Sequence, residues 1–283
     1  MKSAAVTPST RSSAVVQLPG SKLRRAAGRW LVRLISVALC FFLWEAASRG
    51  KWTILGARFE NVPAPTQVLG AAGVLAKSPK VASHLRASLI RIFAGFTLAA
   101  VLAIAAGLVI GRFRLVEDAM LPPLEILRPI PAVAWIPLAI LLWPTAESSM
   151  IFITFIGAFF PILLNTVHGV EGVDRRLIQA SLVLGAGPLA LFREVIFPGA
   201  LPAIVTGLSI GMGTAWFSLI TAEMVSGQFG IGYFTWEAYT LQNYPDIVLG
   251  MVIIGLLGMA SSGLIKLLGL RLMPWFKFGG NAA

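Results

Sequence analysis

Two stretches, residues 92–110 and 203–222, run for 19 and 20 residues without a charged side chain. At about 1.5 Å rise per residue, a helix of that length crosses the roughly 30 Å hydrocarbon core of a bilayer. In that solvent the backbone has no water to bond, so the chain must close its hydrogen bonds within helices. Residues 247–265 form a third such run. Composition agrees: 57% of the 283 residues are hydrophobic and 12% are charged, about half the charge of a soluble domain. Between Arg128 and Glu171 the only charge is Glu147. That stretch is too long for one helix, and Pro144 with Glu147 marks a turn, which predicts spans near 130–143 and 149–167. The first apolar run, 34–44, lies between Arg33 and Glu45; extended to 30–48 it spans if both charges reach the interfaces. Its basic lead and Ala46-Ala47-Ser48 also fit a cleaved secretory leader, but the lead is long for one, and we read an uncleaved first span. The expectation is an all-α membrane protein with six transmembrane helices over residues 30–275.

The charges suggest an orientation. Residues 1–29 are polar, basic and free of acids, which reads as a disordered cytoplasmic tail; 276–283 reads as a short cytoplasmic C-terminal tail. Segment 112–128 carries Arg112, Arg114 and Arg128, segment 168–200 carries Arg175, Arg176 and Arg193, and the tail carries Lys266, Arg271 and Lys277. The alternate loops, 144–148 and 223–246, have no Lys or Arg. The excess of bases on cytoplasmic loops then puts both termini inside. Segment 49–91 conflicts: it falls outside by this scheme yet holds Arg49, Lys51, Arg58, Lys77, Lys80, Arg86 and Arg91. The rule weakens with loop length, so the four short loops decide. In that segment Thr66, after Pro63-Ala64-Pro65, is placed to cap a short helix. The net charge of +11 reads as bases facing anionic lipid rather than nucleic acid.

Catalysis finds no support. Cys40 is the one cysteine and His84 and His168 are the only histidines, so neither a disulfide framework nor a cysteine metal site can form within the chain, and no metal or other cofactor is expected. A Gly-x-x-x-x-Gly-Lys-Ser/Thr phosphate loop is absent, as are His-Glu-x-x-His and Gly-x-Ser-x-Gly.

The segment between the fourth and fifth spans holds Gln179-Ala180-Ser181, Gly185, and Val195-Ile196-Phe197-Pro198. It reads as a short helix, a glycine reversal, a second helix starting at Gly187-Pro188, and a proline entering the next span. The result is a stiff helical hairpin. Its spacing resembles the coupling loop of binding-protein-dependent ABC transporter permeases: Glu-Ala-Ala, three residues, Gly, nine residues, Ile, one residue, Leu-Pro. Ala180, Gly185 and Pro198 match; Gln179, Ser181, Val195 and Phe197 replace the Glu, second Ala, Ile and Leu. Further stretches are similar to the nitrate/sulfonate/taurine branch: Val62-Pro63-Ala64-Pro65, Ser88-Leu89-Ile90-Arg91, Arg128-Pro129-Ile130-Pro131, Trp135-Ile136-Pro137-Leu138, Phe159-Phe160-Pro161-Ile162, Ala222-Glu223-Met224 and Gly230-Ile231-Gly232-Tyr233. Trp143-Pro144-Thr145 departs from the glycine-containing turn usual there. The resemblance implies a permease subunit in a bacterial inner membrane, docked through residues 179–198 onto separate ATP-binding subunits, supplied by a periplasmic substrate-binding protein, and paired as a homodimer. It implies a small anion such as nitrate, a sulfonate or taurine as substrate; a neutral or aromatic compound, or a secondary transporter, are the alternatives.

Two stripes of small residues stand out. Gly95, Ala99, Ala103, Gly107 and Gly111 recur at steps of four with no polar atom, which predicts helix packing. Gly207, Gly211, Thr214, Ser218 and Thr221 share one face of the fifth span; close packing and a pathway wall both fit. Trp135 and Trp216 fit either pathway shaping or interfacial anchoring. Pro131, Pro137 and Pro161 predict kinks. Glu45 and Glu223 end spans one and five, where they are either exposed or functional. With no Lys or Arg inside spans two to five, the expectation is a weakly held anion, guided by the hydroxyls of Thr214, Ser218 and Thr221, the Trp216 N–H and backbone dipoles, and drawn in by the seven bases of 49–91.

Overall fold

The computed structural model describes residues 19–54, 56–76, 78–226 and 229–275. It divides into two units, Met1–Thr66 and Gln67–Ala283.

The first unit is dominated by helix α1 (Pro19–Arg49). Its backbone is helical through residues 19–29, so that part of the stretch read as a tail is the first part of a helix; residues 1–18 lie outside the described residues. Leu34, Leu39, Phe42 and their neighbours stand exposed along it, as a helix bathed in lipid requires. After it come a two-residue antiparallel pair, β1 (Thr53–Ile54) with β2 (Ala57–Arg58), and a 3-10 turn Phe59–Asn61. Glu45 closes the end of α1: Arg49 Nε donates to it at 2.5 Å and the Thr66 hydroxyl at 2.9 Å, and Thr66 N–H adds a third bond at 3.2 Å. Thr66 is therefore not a cap, as its position had suggested. Pro65 already opens helix α2 (Pro65–Leu75), and the threonine hydroxyl is spent on Glu45.

The second unit is a helical bundle: α3 (Pro79–Arg112), α4 (Arg114–Leu127), α5 (Ile136–Leu142), α6 (Ala146–Glu171), α7 (Arg175–Val183), α8 (Pro188–Leu191), α9 (Phe197–Ser226), α10 (Ile231–Thr240) and α11 (Tyr244–Leu272). Among the described residues, five helices are long and apolar enough to cross a membrane, and a sixth crossing exists if α4 and the 132–142 segment count as one broken span. The span expected at 130–143 is thus corrected. The 3-10 turn Ala132–Trp135 and the seven residues of α5 are too short alone, and they meet α4 at 83°. The reason is Arg128-Pro129-Ile130-Pro131: each proline lacks an N–H and biases the residue before it away from helix. At the other end the expected turn forms, with Thr145 Oγ1 accepting Ser148 N–H at 3.2 Å to cap α6.

Three helices make the core. On α3, Cβ atoms added at Gly95, Gly107 and Gly111 would strike Thr154, Thr166 and Val170 of α6 at 2.6–2.9 Å, and Ala99 and Ala103 are fully buried. The step-of-four stripe is the seam of α3 on α6. Because the partner number rises with the glycine number, α3 and α6 run parallel, and the chain between them must return across the bundle. The bent α4–α5 pair makes that return. Packing of α6 on α9 is equally close but antiparallel: Gly207 lies against Pro161 and Asn165, and Gly211 against Ala158 and Ile162. α11 pairs with α9, where Val205 fills the notch at Gly269. Without a hydrophobic drive in lipid, such small-residue contacts hold helices by dispersion at short range.

Candidate functional site

Three constellations carry polar chemistry. The first is a hairpin after α6. Asp174 caps α7 by accepting Arg176 N–H at 2.9 Å. α7 ends in a left-handed turn at Gly185 (φ +83°), with Gly185 N–H donating to Leu182 O at 3.0 Å and Ala186 N–H to Ser181 O at 3.0 Å. This pair of bonds is the Schellman closure, and a Cβ at that φ would be strained. Gly187 precedes α8, which opens on Pro188. A π turn, Phe192–Ile196, then runs directly into α9. Gln179 and Ala180 are exposed on α7, Ser181 is half-buried, Val195 and Pro198 are half-buried on the return arm, and Phe197 is exposed. Leu191, Ile196, Val170, Ala200 and Ile204 form a local core, with Ile178 and Val195 packed on it, so the arms are fastened to the C-terminal end of α6 and the N-terminal end of α9. The tip instead exposes Leu182, Val183, Leu184 and Leu189.

The second constellation is a cleft of about 560 Å³ between α6, α9 and the turn before α5. Its wall on α6 includes Gly157, Asn165 and His168; α9 supplies Thr214, Phe217 and Ser218; Arg128 closes one side. Of the four pathway residues expected from sequence, Thr214 and Ser218 line it. Trp216 and Thr221 do not. Trp216 is 3% exposed, and its indole N–H donates to Ser261 Oγ on α11 at 2.9 Å. Thr221 bonds its own helix at Phe217 O, 2.9 Å. Trp216, which was read apart from that stripe, turns to α11 because α9 packs on α6 through one side and on α11 through another.

The third was missed. Glu223 is fully buried and Arg91 is 1% exposed. Arg91 Nη1 donates to Glu223 Oε1 at 2.9 Å; Nε donates to Glu147 Oε2 at 2.7 Å, Nη2 to Glu147 Oε1, and Nη1 also to Phe229 O. Ser88 Oγ donates to both Glu223 oxygens at 2.8 and 3.0 Å. The first turn of α10 is held by the same group. Gly230 N–H donates to His84 Nδ1 at 3.0 Å, Ile231 N–H to Ser88 Oγ at 2.9 Å, and Gly232 N–H to Glu223 Oε2 at 2.9 Å. These are the N–H groups that a helix start leaves without internal partners. Gly230 has φ +145°, and a Cβ there would fall on the Glu223 carboxylate.

Arg91 was counted among seven free outer bases, which is corrected: α3 starts at Pro79, so Lys80, Arg86 and Arg91 are helical, and Arg91 is an internal ion. Lys77 lies outside the described residues. The signal was present in Ser88-x-x-Arg91, a step of three that puts hydroxyl and guanidinium on one helical face, and in an acid eight residues before Ile231. Among the described residues no group of His, Cys, Asp and Glu could hold a metal ion.

Comparison with known proteins gives a consistent result. The family described as "Binding-protein-dependent transport system inner membrane component" matches residues 99–276. A putative ABC transporter permease protein of Methanocaldococcus jannaschii is 41% identical over 191 residues, 67% of this chain and 72% of that one. The nitrate import permease protein NrtB of Synechocystis is 33% identical over 249 residues, 85% of this chain and 88% of its own. The putative aliphatic sulfonates transport permease protein SsuC of Bacillus subtilis is 31% identical over 268 residues, 95% and 94% of the two chains.

Proposed function

The chain belongs to the family of binding-protein-dependent transport system inner membrane components, and on that footing we propose that it forms the translocation pathway of an ATP-driven importer for a small anion. The observation that carries this reading is the match over residues 99–276, which takes in the hairpin, the cleft and, of the buried ion cluster, Glu147, Glu223 and the α10 start. Similarity to permeases named for nitrate and for aliphatic sulfonates supports an anion of that size.

In this reading separate ATP-binding subunits dock on the hairpin. Its exposed apolar tip, Leu182 to Leu184 with Leu189, offers a partner the area that water penalises, and Arg175 and Arg176 flank it. Gln179, Ala180, Ser181 and Gly185 form the docking arm; Val195, Phe197 and Pro198 pass the motion into α9. The subunit hydrolyses no ATP itself, works as a homodimer, and receives substrate from a periplasmic binding protein. Both termini are cytoplasmic, and the α3 start, Glu147 and α10 face outward. Movement of the hairpin against the bundle switches access as a rigid-body transition between two packed states.

Co-expression with the ATP-binding subunit and binding protein, followed by reconstitution, tests this. Uptake of nitrate, bicarbonate or methanesulfonate should require ATP and both partners. Uptake without ATP-binding subunits, or co-purification with none, would refute the importer reading.

A further inference from the structure

The cleft does not offer an anion what its hydroxyls promise. Thr214 Oγ1 donates its proton to Gly157 O at 2.7 Å, a bond that crosses from α9 to α6. Ser218 Oγ donates to Thr214 O at 2.8 Å. A hydroxyl has one proton, so both present only lone pairs to the cleft, and lone pairs repel an anion. Trp216 and Thr221 have likewise committed their protons elsewhere. Asn165 has spent one amide N–H on Pro161 O at 2.7 Å. The donors left on the cleft wall are the Arg128 guanidinium, the His168 ring and the second amide N–H of Asn165, and of these Arg128 alone carries a fixed positive charge. The Arg128 guanidinium has neither ion pair nor hydrogen bond among the described residues, and the His168 ring has no hydrogen bond among them.

The place of His168 along the cleft is defined. Gly157, Asn165 and His168 follow one another down α6, so His168 lies about 16 Å along the helix axis from Gly157, at the end that continues into the hairpin. Thr214 and Ser218 sit at the Gly157 end.

We propose that Arg128, with His168 lining the hairpin end of the same cleft, is the group that recognises the oxyanion in this permease. The inference rests on the importer reading and adds the specificity residue to it. A guanidinium suits a planar or tetrahedral oxyanion because its parallel N–H groups bond two oxygens at once. Standing exposed at the open wall, it is screened by water and holds the anion weakly, as a release site must. The same chemistry fits an anionic lipid headgroup, so the test separates the two.

The complex is reconstituted with its ATP-binding subunits and binding protein. The background carries Cys40→Ala, which removes the one native thiol, itself exposed. Arg128→Cys should lower uptake of nitrate, bicarbonate or methanesulfonate by about tenfold, the cost of one charge-assisted contact. Modification with an ammonium-bearing methanethiosulfonate should recover most of that loss, and the neutral methyl reagent should not. Because the charge is added after folding, misfolding cannot mimic the difference. Equal uptake by background and variant, or a positive adduct no better than the neutral one, overturns the proposal. The loss should be the same in phosphatidylcholine vesicles and in vesicles with added phosphatidylglycerol. A loss seen only with the anionic lipid assigns Arg128 to headgroups and overturns it too. A background that imports none of the three anions sinks the anion reading and this proposal together, whereas equal import by background and variant sinks this proposal alone.

Discussion

Glu223→Ala should destabilise the protein far more than Glu147→Gln, although both acids bond Arg91. The alanine removes the acceptor for Ser88 Oγ, Arg91 Nη1 and Gly232 N–H, all within 3.0 Å and all buried. It leaves a guanidinium that is 1% exposed and an open N–H at the start of α10. Breaking a buried pair by removing one ion costs about 3–5 kcal/mol. Arg91 retains Glu147 and Phe229 O, so the low end, about 3 kcal/mol, applies here. Glu147 has a side chain 56% exposed, where water screens the pair and replaces lost bonds, and its neutralisation should cost about 1 kcal/mol or less. For a chain of this size 3 kcal/mol corresponds to roughly 6–12 °C in apparent midpoint. The assay heats detergent-purified protein at one fixed scan rate, because such unfolding is irreversible, and follows the monodisperse fraction. A double variant, Arg91→Met with Glu223→Leu, should lose less than the two single changes summed, since an apolar pair leaves no stranded charge. Glu223→Ala no worse than Glu147→Gln, or strictly additive losses, would refute the cluster as a coupled unit.

Other consequences can be checked alongside. Gly230→Ala should lower the same midpoint at least as far as Ser88→Ala, because its Cβ meets the Glu223 carboxylate at a φ that L residues rarely adopt; an unchanged midpoint would contradict the geometry of the α10 start. Gly185→Val, at φ +83° with no neighbour within 4 Å, strains only the turn, by about 1–3 kcal/mol, so uptake should fall while membrane insertion is kept, and normal uptake would count against a rigid hairpin. Single cysteines at Thr214 should react with small aqueous thiol reagents, and those at Trp216, buried against α11, should resist; the reverse order would displace the cleft.

The apolar runs were legible because a bilayer leaves no other way to satisfy a backbone, and five of them became helices. The hairpin was legible because Gly185 and Pro188 have few conformational readings. Helix ends were not. The uncharged run at 92–110 marks where lipid excludes charge, whereas α3 continues to Pro79 because its N-terminal turns bury Ser88 and Arg91 against partners over 130 residues away in sequence. Hydropathy reports a solvent, and a charge neutralised by a distant acid looks the same in sequence as one facing water. The broken third span has the same cause in reverse, an apolar run that Pro129 and Pro131 prevent from forming one helix. Trp216 turned away from the cleft because α9 has partners on two sides, which periodicity on one helix cannot specify.

The hairpin and the ion cluster are ends of one object. From Pro188 to Ser226 the chain is helical for 39 residues, about 58 Å at 1.5 Å each. The π turn at Phe192–Ile196 widens the helix without interrupting it, and Pro202 lies within it. One end carries the exposed apolar tip and the other carries Glu223. A helix packed along its length on α6 through Gly207 and Gly211 cannot shear locally, because those contacts have no slack for a Cβ, let alone for a shifted turn. Displacement of the hairpin therefore has two outlets. The rod moves whole and carries Glu223 with it, or it bends between the π turn and Pro198 and at Pro202, where the i to i−4 ladder is altered. The cluster decides how costly the first outlet is. Moving Glu223 away from Arg91 while α3 stays fixed strands a buried ion. Moving α3, α6, α9 and α10 together keeps every bond in the cluster, that of Arg91 to Glu147 on α6 included. The low-energy motion is thus the one in which those four helices travel as a block, with the bent α4–α5 segment beside them taking up the change.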